Sequence, residues 1–442
     1  MPREERLKPP RSDRRGGIYL LYDVGLHLAG IVALPWIGLR ALCSPSFRRG
    51  LAGRLGGGPL LAGEGSCLLL HGVSVGEIRA ARPLVEAILR THPRTRVVLS
   101  STTNGGREVA ARTFPVQDVV TFPIDLAWAC RRFLKRIQPT GVILMELEIW
   151  PNFLRECERA GVPVAIVNGR ITERSANGYL KVHRFLPQFD RIRLYGAQNE
   201  RYAGRFRSLP VAPQRIEVTG NLKYDVLPSR KQDQEYRRSP WPAWIGGRDA
   251  LAFGSTHHPE ELELLKAARG IPELEAALWL IAPRHPRRAG RLEGEIRSAC
   301  PGRPVLRRSR LAAQEPLPSG AILLVDTLGE LELVYRSAKA AFVGGSLVPH
   351  GGQNVLEPAA LGCPVVVGPH TENFREEVDT LLRAGGIRRA ETPAALLELM
   401  ADWLRDPAAA ETCSRAALQA LSGQQGAVHA TLDSLTRAGL LT

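Results

Sequence analysis

Two carboxylate motifs and a lysine stand where short apolar runs end, the places from which side chains do acid–base chemistry. Glu77 closes His71-Gly72-Val73-Ser74-Val75-Gly76-Glu77, directly after three leucines and directly before a helical pattern. Glycines let the backbone approach a ligand closely, and a carboxylate in the first turn of a helix is electrostatically favoured. The chemistry on offer is removal of a proton from an attacking hydroxyl. A helix-capping glutamate in a tight turn is the structural alternative. Glu146 and Glu148 follow the run ending at Met145, in Met145-Glu146-Leu147-Glu148-Ile149-Trp150-Pro151-Asn152, and face the same way if the strand continues. A carboxylate at an apolar mouth costs desolvation unless it has a partner. Lys223, in Thr219-Gly220-Asn221-Leu222-Lys223-Tyr224-Asp225, is placed to neutralise phosphate or carboxylate charge, with a solvated lysine as the plainer reading.

The second half repeats the arrangement with other residues. Gly254-Ser255-Thr256-His257-His258 and Pro283-Arg284-His285-Pro286 both end apolar runs. Paired histidines invite a metal, but neither segment follows His-Glu-x-x-His and no cysteine cluster joins them, so no metal site is expected. Arg284 reads better as an anion clamp, because a guanidinium matches phosphate oxygens in fork geometry. In Asp326-Thr327-Leu328-Gly329-Glu330-Leu331, Thr327 is placed to cap a helix with Glu330 three residues on. Phe342-Val343-Gly344-Gly345-Ser346-Leu347 and then His350–Pro358 form a glycine-rich junction whose backbone N–H groups suit a phosphate. Glu357, about one turn into the helix that follows, is placed to take ribose hydroxyls. No Gly-Lys-Ser/Thr completes a Walker loop, and the first strand-to-helix turn lacks Gly-x-Gly-x-x-Gly. An ATPase and a simple NAD enzyme are therefore disfavoured.

The elements that must hold these residues are strands alternating with helices, the pattern of a parallel sheet. In the first half the spacing predicts strands at Cys67–Leu70, Val97–Ser100, Val119–Phe122, Val142–Met145, Val164–Val167, Leu194–Gly196 and Ile216–Thr219, with a helix over Ile78–Leu89. A second series runs through Leu251–Gly254, Leu278–Ile281, Ala321–Val325, Ala341–Val343 and Val365–Val367. Between them the charged, Pro-interrupted stretch 227–247 reads as a linker. The expected domains are a basic arm and anchor segment at 1–60, an N-terminal Rossmann-like domain at 61–226, the linker at 227–247, and a C-terminal domain at 248–442.

The chain of 442 residues is long enough for two such domains, and 44% hydrophobic with 23% charged residues fits a folded protein. Seven scattered cysteines without a Cys-x-x-Cys pair argue against a disulfide framework or a zinc knuckle. A net charge of +15 points to an anionic partner: nucleic acid, a membrane surface or a phosphorylated substrate. Aromatics are only 6% and show no stacking platform among the basic residues, so nucleic acid is not expected. Met1–Gly17 is a basic arm carrying Arg3, Arg6, Lys8, Arg11, Arg14 and Arg15. Ile18–Leu42 is apolar but interrupted by Asp23, His27 and Pro35, which suggests a membrane anchor or interfacial helix, with a core helix as the alternative.

Taken in order, HGVSVGE, MELEIWPN, AIVNGRITERSANGY, GAQNE, VTGNLKYD, PRHP, DTLGEL, FVGGSLV, GGQNVLEP and GPHTENF resemble the Kdo transferase family over most of the chain. These enzymes move 3-deoxy-D-manno-octulosonic acid (Kdo) from CMP-Kdo onto the lipid A precursor of Gram-negative bacteria. The resemblance implies an α/β fold of the GT-B glycosyltransferase type, two Rossmann-like doubly wound domains facing a cleft, with an N-terminal hydrophobic anchor helix. It implies an inverting, metal-independent transfer with no cofactor, with Glu77 as proton acceptor and Glu146 and Lys223 as transition-state stabilisers. CMP contacts fall on Pro283, Arg284, Leu328, Gly329, Glu330, Asn354, Val355, Leu356 and Glu357. The partners implied are CMP-Kdo, lipid IVA and anionic lipids at the cytoplasmic face of the inner membrane. Gly72, Leu147 and Gln353 depart from the family, which often has Ser or Ala, Thr, and His at those places. The enzymatic alternative is another GT-B protein with a UDP-sugar donor, a lipid A disaccharide synthase or an epimerase.

Overall fold

Apolar runs without alternating polar residues suit strands covered on both faces, and that is what they become. The computed structural model describes residues 16–61, 63, 65–115, 117–183, 188–225, 230–311 and 315–441. The basic residues of the arm, from Arg3 to Arg15, lie outside the described residues, as do positions 227–229 of the expected linker. The first sheet holds β1 (Cys67–His71), β2 (Arg96–Ser101), β3 (Asp118–Thr121), β4 (Gly141–Met145), β5 (Val164–Gly169), β6 (Leu194–Ala197) and β7 (Ile216–Val218). Its strands run parallel in the order β3-β2-β1-β4-β5-β6-β7. Every residue of β1, β4 and β5 is buried. Leu69, Val142 and Leu144 pack on one face, Leu68, Leu70, Ile143 and Met145 on the other, as the two-residue period of a strand requires.

The second sheet holds β8 (Ala250–Thr256), β9 (Leu278–Pro283), β10 (Val305–Arg307), β11 (Ile322–Leu324), β12 (Ala340–Val343), β13 (Val365–Val367) and β14 (Ile387–Arg389). These strands are also parallel, in the order β10-β11-β9-β8-β12-β13-β14. In each sheet the chain builds outward from one strand and then returns to that strand's other side. The reversals fall between β1 and β4 and between β8 and β12, and such switch points open crevices at the carboxyl ends of the strands.

The chain divides into two compact units, residues 1–225 with 426–442, and residues 226–425. Two boundaries differ from the sequence expectation. The stretch read as a linker folds into helices Arg230–Arg238 and Trp241–Ile245, and Trp241, Trp244 and Ile245 enter the core against the second sheet. Two indoles bring more apolar area than a solvated linker can leave exposed. At the other end, the helix Ala427–Arg437 packs with Leu68, Leu70, Leu84 and Leu222 of the first unit rather than with the second. The Asp225 carboxylate holds its start, accepting the N–H groups of Gly426 at 2.8 Å and Val428 at 2.5 Å. The expected helix Ile78–Leu89 is two helices, Val75–Ala80 and Arg82–Thr91, because Pro83 has no N–H to continue the ladder.

Helix Gly16–Cys43 is docked at its start and exposed beyond it. Tyr19 is fully buried, with Arg155 over its ring at 4.6 Å and Arg191 donating to its hydroxyl at 2.8 Å. Asp23, which interrupts the apolar run, accepts from Arg155 at 3.1 Å, from the Asn152 amide at 2.8 Å and from the Ala127 N–H at 3.4 Å. From there Leu28, Ile31, Val32, Leu39 and Leu42 face outward, and Val32 is 82% exposed. Ile18–Cys43 is long and apolar enough to cross a membrane, with a mean hydropathy of 1.6. The helix Pro45–Arg54 then turns back. Phe47 meets Trp36 edge-on at 6.1 Å, Arg48 donates to the Ala41 carbonyl at 2.7 Å, and the Arg54 carbonyl accepts from Ile124 at 2.7 Å.

Candidate active site

Glu77 sits just beyond β1, at the first switch point. Ser74 caps the helix Val75–Ala80, and the reciprocal bonds of a capping box are present. The buried Glu77 carboxylate accepts from Val73 N–H at 2.8 Å, Ser74 N–H at 3.3 Å and Ser74 Oγ at 2.7 Å. The capping alternative is thus realised, and it is compatible with acid–base work. Two carboxylate oxygens offer about four lone-pair directions, so three donors fix the group and leave room for one more proton donor. His71, six residues earlier, is structural. It is fully buried, stacks on Phe122 at 3.7 Å and meets the Ser100 carbonyl at 3.1 Å, and burial pushes it down to about 3, so it is neutral.

Glu146 and Glu148 follow β4, the neighbour of β1 across the switch point. Glu146 has φ +55°, a left-handed conformation uncommon outside glycine, and it ends the strand at Met145. The shared face expected of the two acids on a continuing strand is therefore lost. Glu148 bends back so that its carboxylate accepts from the Trp150 indole at 3.0 Å. Burial pushes the Glu148 carboxyl up to about 7; the charge of Glu77 adds to the rise, the indole bond opposes it, and Glu146 adds a smaller part. Lys223 lies in the turn Leu222–Asp225 after the edge strand β7. That turn is pulled towards β5 by Asn168, whose side-chain oxygen accepts from Leu222 N–H at 3.0 Å and whose own φ is +54°. Strained residues at the ends of β4 and β5 fit the rule that such conformations gather where a site is held in place.

In the second unit Pro283 ends β9 and Arg284 is exposed just beyond it, its N–H donated to the Thr256 carbonyl at 3.0 Å. Leu328 and Gly329 form an exposed turn, with Leu328 70% exposed. Glu330 pairs with Arg308 at 2.8 Å and accepts from the Thr327 hydroxyl. Thr327 is therefore not the expected cap: the helix Leu331–Arg336 starts after Glu330, which takes the cap position itself. Asn354 orients the next acid, donating to Glu357 at 3.1 Å while its carbonyl oxygen accepts from Leu356 N–H at 3.1 Å. Val355 and Leu356 are buried at the start of the short helix Leu356–Ala360.

The glycine-rich turn after β12 corrects an expectation. Its N–H groups do not await a phosphate, because the buried carboxylate of Glu260 already fills the turn. It accepts from Gly345 at 2.9 Å, Ser346 at 3.1 Å, Leu347 at 3.0 Å and His257 at 2.7 Å. The turn needs its glycines for this fit: Gly345 has φ +68°, and a Cβ on Gly344 would come within 2.5 Å of the Thr256 backbone. Sequence reasoning missed Glu260, since three of its four partners lie some 85 residues away and leave no local signal. It also named Glu148 without giving it a role. Among the described residues, no group of three or more His, Cys, Asp or Glu side chains is set to hold a metal ion.

Residues 49–226 match the family model for 3-deoxy-D-manno-octulosonic-acid transferase (kdotransferase). The 3-deoxy-D-manno-octulosonic acid transferase of Haemophilus influenzae is 33% identical over 413 residues, 91% of this chain and 94% of that protein. The transferase of the same name from Bordetella pertussis is 35% identical over 438 residues, 93% of this chain and 97% of that one. Among solved structures, a UDP-GlcNAc 2-epimerase from Neisseria meningitidis bound to UDP-GlcNAc aligns with a TM-score of 0.56 over 84% of this chain and 100% of that one. At 13% identity that likeness concerns the fold alone.

Proposed function

Because the chain belongs to the family of 3-deoxy-D-manno-octulosonic acid transferases, glycosyltransferases with two Rossmann-like domains of the GT-B type, we propose that it moves Kdo from CMP-Kdo onto the lipid A precursor with inversion, Glu77 acting as general base. The observation that carries this reading is the first switch point. Carboxylates follow two neighbouring strands, Glu77 after the turn beyond β1 and Glu146 and Glu148 after β4, and Glu77 is held ready by three hydrogen bonds.

The steps follow from the groups present. A sugar hydroxyl of the acceptor attacks the anomeric carbon of Kdo, its proton passes to Glu77, and the bond from that carbon to the phosphate oxygen breaks. Glu148 helps by holding a proton near neutral pH, since burial first and the neighbouring carboxylates next disfavour its charged form. Glu146 stabilises positive charge developing on the sugar, and Lys223 meets negative charge on the reacting groups. Arg284 takes the departing cytidylate phosphate, with Pro283 beside it, and Glu357 takes ribose hydroxyls from the position Asn354 sets. Leu328, Gly329, Glu330, Val355 and Leu356 complete the nucleotide contacts. The acceptor is lipid IVA, and the exposed apolar stretch of helix Gly16–Cys43 binds the cytoplasmic face of the inner membrane, where the basic arm meets anionic lipids.

The test is to incubate the purified chain with a CMP-Kdo generating system and a tetra-acylated lipid A precursor, then weigh the product. Addition of Kdo is expected. A chain that leaves the precursor unchanged, or that transfers from UDP-sugars instead, does not have this activity.

A further inference from the structure

Three histidines left out of that reading meet at the second switch point. His257 follows in the turn after β8, His285 follows β9, and His350 follows β12, and these are consecutive strands in the order β9-β8-β12. The His257 and His350 rings are 4.5 Å apart at 33°, and those of His257 and His285 are 6.2 Å apart at 77°. A Cβ on Gly345 would lie 3.2 Å from His257 Nδ1, so the turn after β12 presses directly on this ring.

The nearby charges are arranged for an anion. His257 Nδ1 is 3.2 Å from the Ser255 carbonyl, which can only accept, so Nδ1 carries the proton and Nε2 can donate only after gaining a second one. Burial pushes His257 below the usual imidazole range, and the positive character of His350, His285 and Arg284 adds to the fall, against the Ser255 bond. The acids nearby are engaged elsewhere. Glu260 takes four backbone N–H groups, while Glu261 accepts from the Thr256 hydroxyl at 2.7 Å and pairs with Arg288 at 3.3 Å. Imidazoles packed together beside a guanidinium repel added protons until a negative group joins them.

We propose that His257, His285 and His350 form an anion subsite at the β8–β12 crevice that receives an acidic group of the donor, its sugar carboxylate or its phosphate. This rests on the function proposed above and extends it to residues that function does not use. An arriving anion draws a proton onto His257 Nε2 and turns the cluster from a repulsive group into a clamp.

Two measurements on His257→Gln, His285→Gln and His350→Gln test it: calorimetric binding of CMP, and the donor KM in Kdo transfer. Loss of a charged hydrogen bond predicts a weakening of about tenfold or more. If the donor KM rises while CMP binding holds, the group bound is the carboxylate. If both weaken, it is the phosphate. His285 and His350 are exposed, so their variants keep the fold, and an unchanged melting curve checks this. Variants equal to the wild type in both measurements, beside a wild type that transfers Kdo, overturn the subsite alone. A wild type that transfers no Kdo overturns the function on which it rests.

Discussion

At the scale of single residues, Glu148 departs from ordinary carboxylate chemistry, and the difference is measurable without any substrate. Its carboxyl titrates near 7 in the folded chain against 4.5 ordinarily, so between those values the native state holds the proton more tightly than the unfolded state does. Stability is therefore lost as pH rises from about 4.5 to about 7. Glu148→Gln removes that loss, so its melting temperature should gain on the wild type between pH 5 and pH 8; an equal gap at both pH values would mean that the carboxyl is not perturbed. Glu77→Gln should lower transfer by about 10²–10⁴-fold, the usual contribution of a general base, with an unchanged circular dichroism spectrum because the amide oxygen still accepts from the cap. Full turnover by that variant would remove Glu77 from the chemistry. Glu77 and Arg284 could be singled out in the sequence because Arg284 directly follows an apolar run and Glu77 closes the short turn that follows one. Glu148 was visible there only as half of an acidic pair, since neither its bend towards Trp150 nor its burial has a mark in residue spacing.

At the scale of elements, most strands could be read directly, for a parallel strand covered on both faces leaves an uninterrupted apolar run. The strands β10 and β14 could not, being three residues long and ending in arginine. The filled turn after β12 was invisible for another reason: glycines announce a close approach but not what approaches. Glu260→Ala would leave the N–H groups of His257, Gly345, Ser346 and Leu347 without an acceptor and should cost more than about 3 kcal/mol in chemical denaturation. A loss below about 1 kcal/mol would show that water replaces the carboxylate. Asp23→Ala should cost about 3 kcal/mol, because it strands Arg155, whose side chain is 7% exposed. In sequence Asp23 counted against a membrane helix; in the structure it joins Tyr19 in tying that helix to the rest of the first unit.

At the scale of the whole chain, the two-sheet plan follows from the alternation of strands and helices, but the assignment of the last helix does not. Ala427–Arg437 is an ordinary amphipathic stretch, and the apolar face beside β1, the carboxylate of Asp225 and that of Glu217, which accepts from Ser434 and Arg437, decide where it rests. The net charge of +15 suits the acidic donor, phosphorylated acceptor and anionic surface proposed above, with part of the excess in the N-terminal arm. Replacing Leu28, Val32 and Leu39 together by Ser should strip the chain from vesicles in a flotation assay while leaving its melting temperature in place, since all three are exposed. Retained flotation would place the lipid contact elsewhere. The docking of that helix also bears on the topology proposed for it. A segment that crosses about 30 Å of hydrocarbon delivers its two flanks to opposite sides. Here Asp23 holds Ala127 before the exposed stretch, and the returning helix Pro45–Arg54 holds Ile124 after it, so both flanks grip the same loop. If this stretch binds lipid as proposed, it should enter and leave the surface from one side, as a keel does water, so a protease confined to the far side of a sealed vesicle should find nothing to cut, and cleavage there would mean that it crosses.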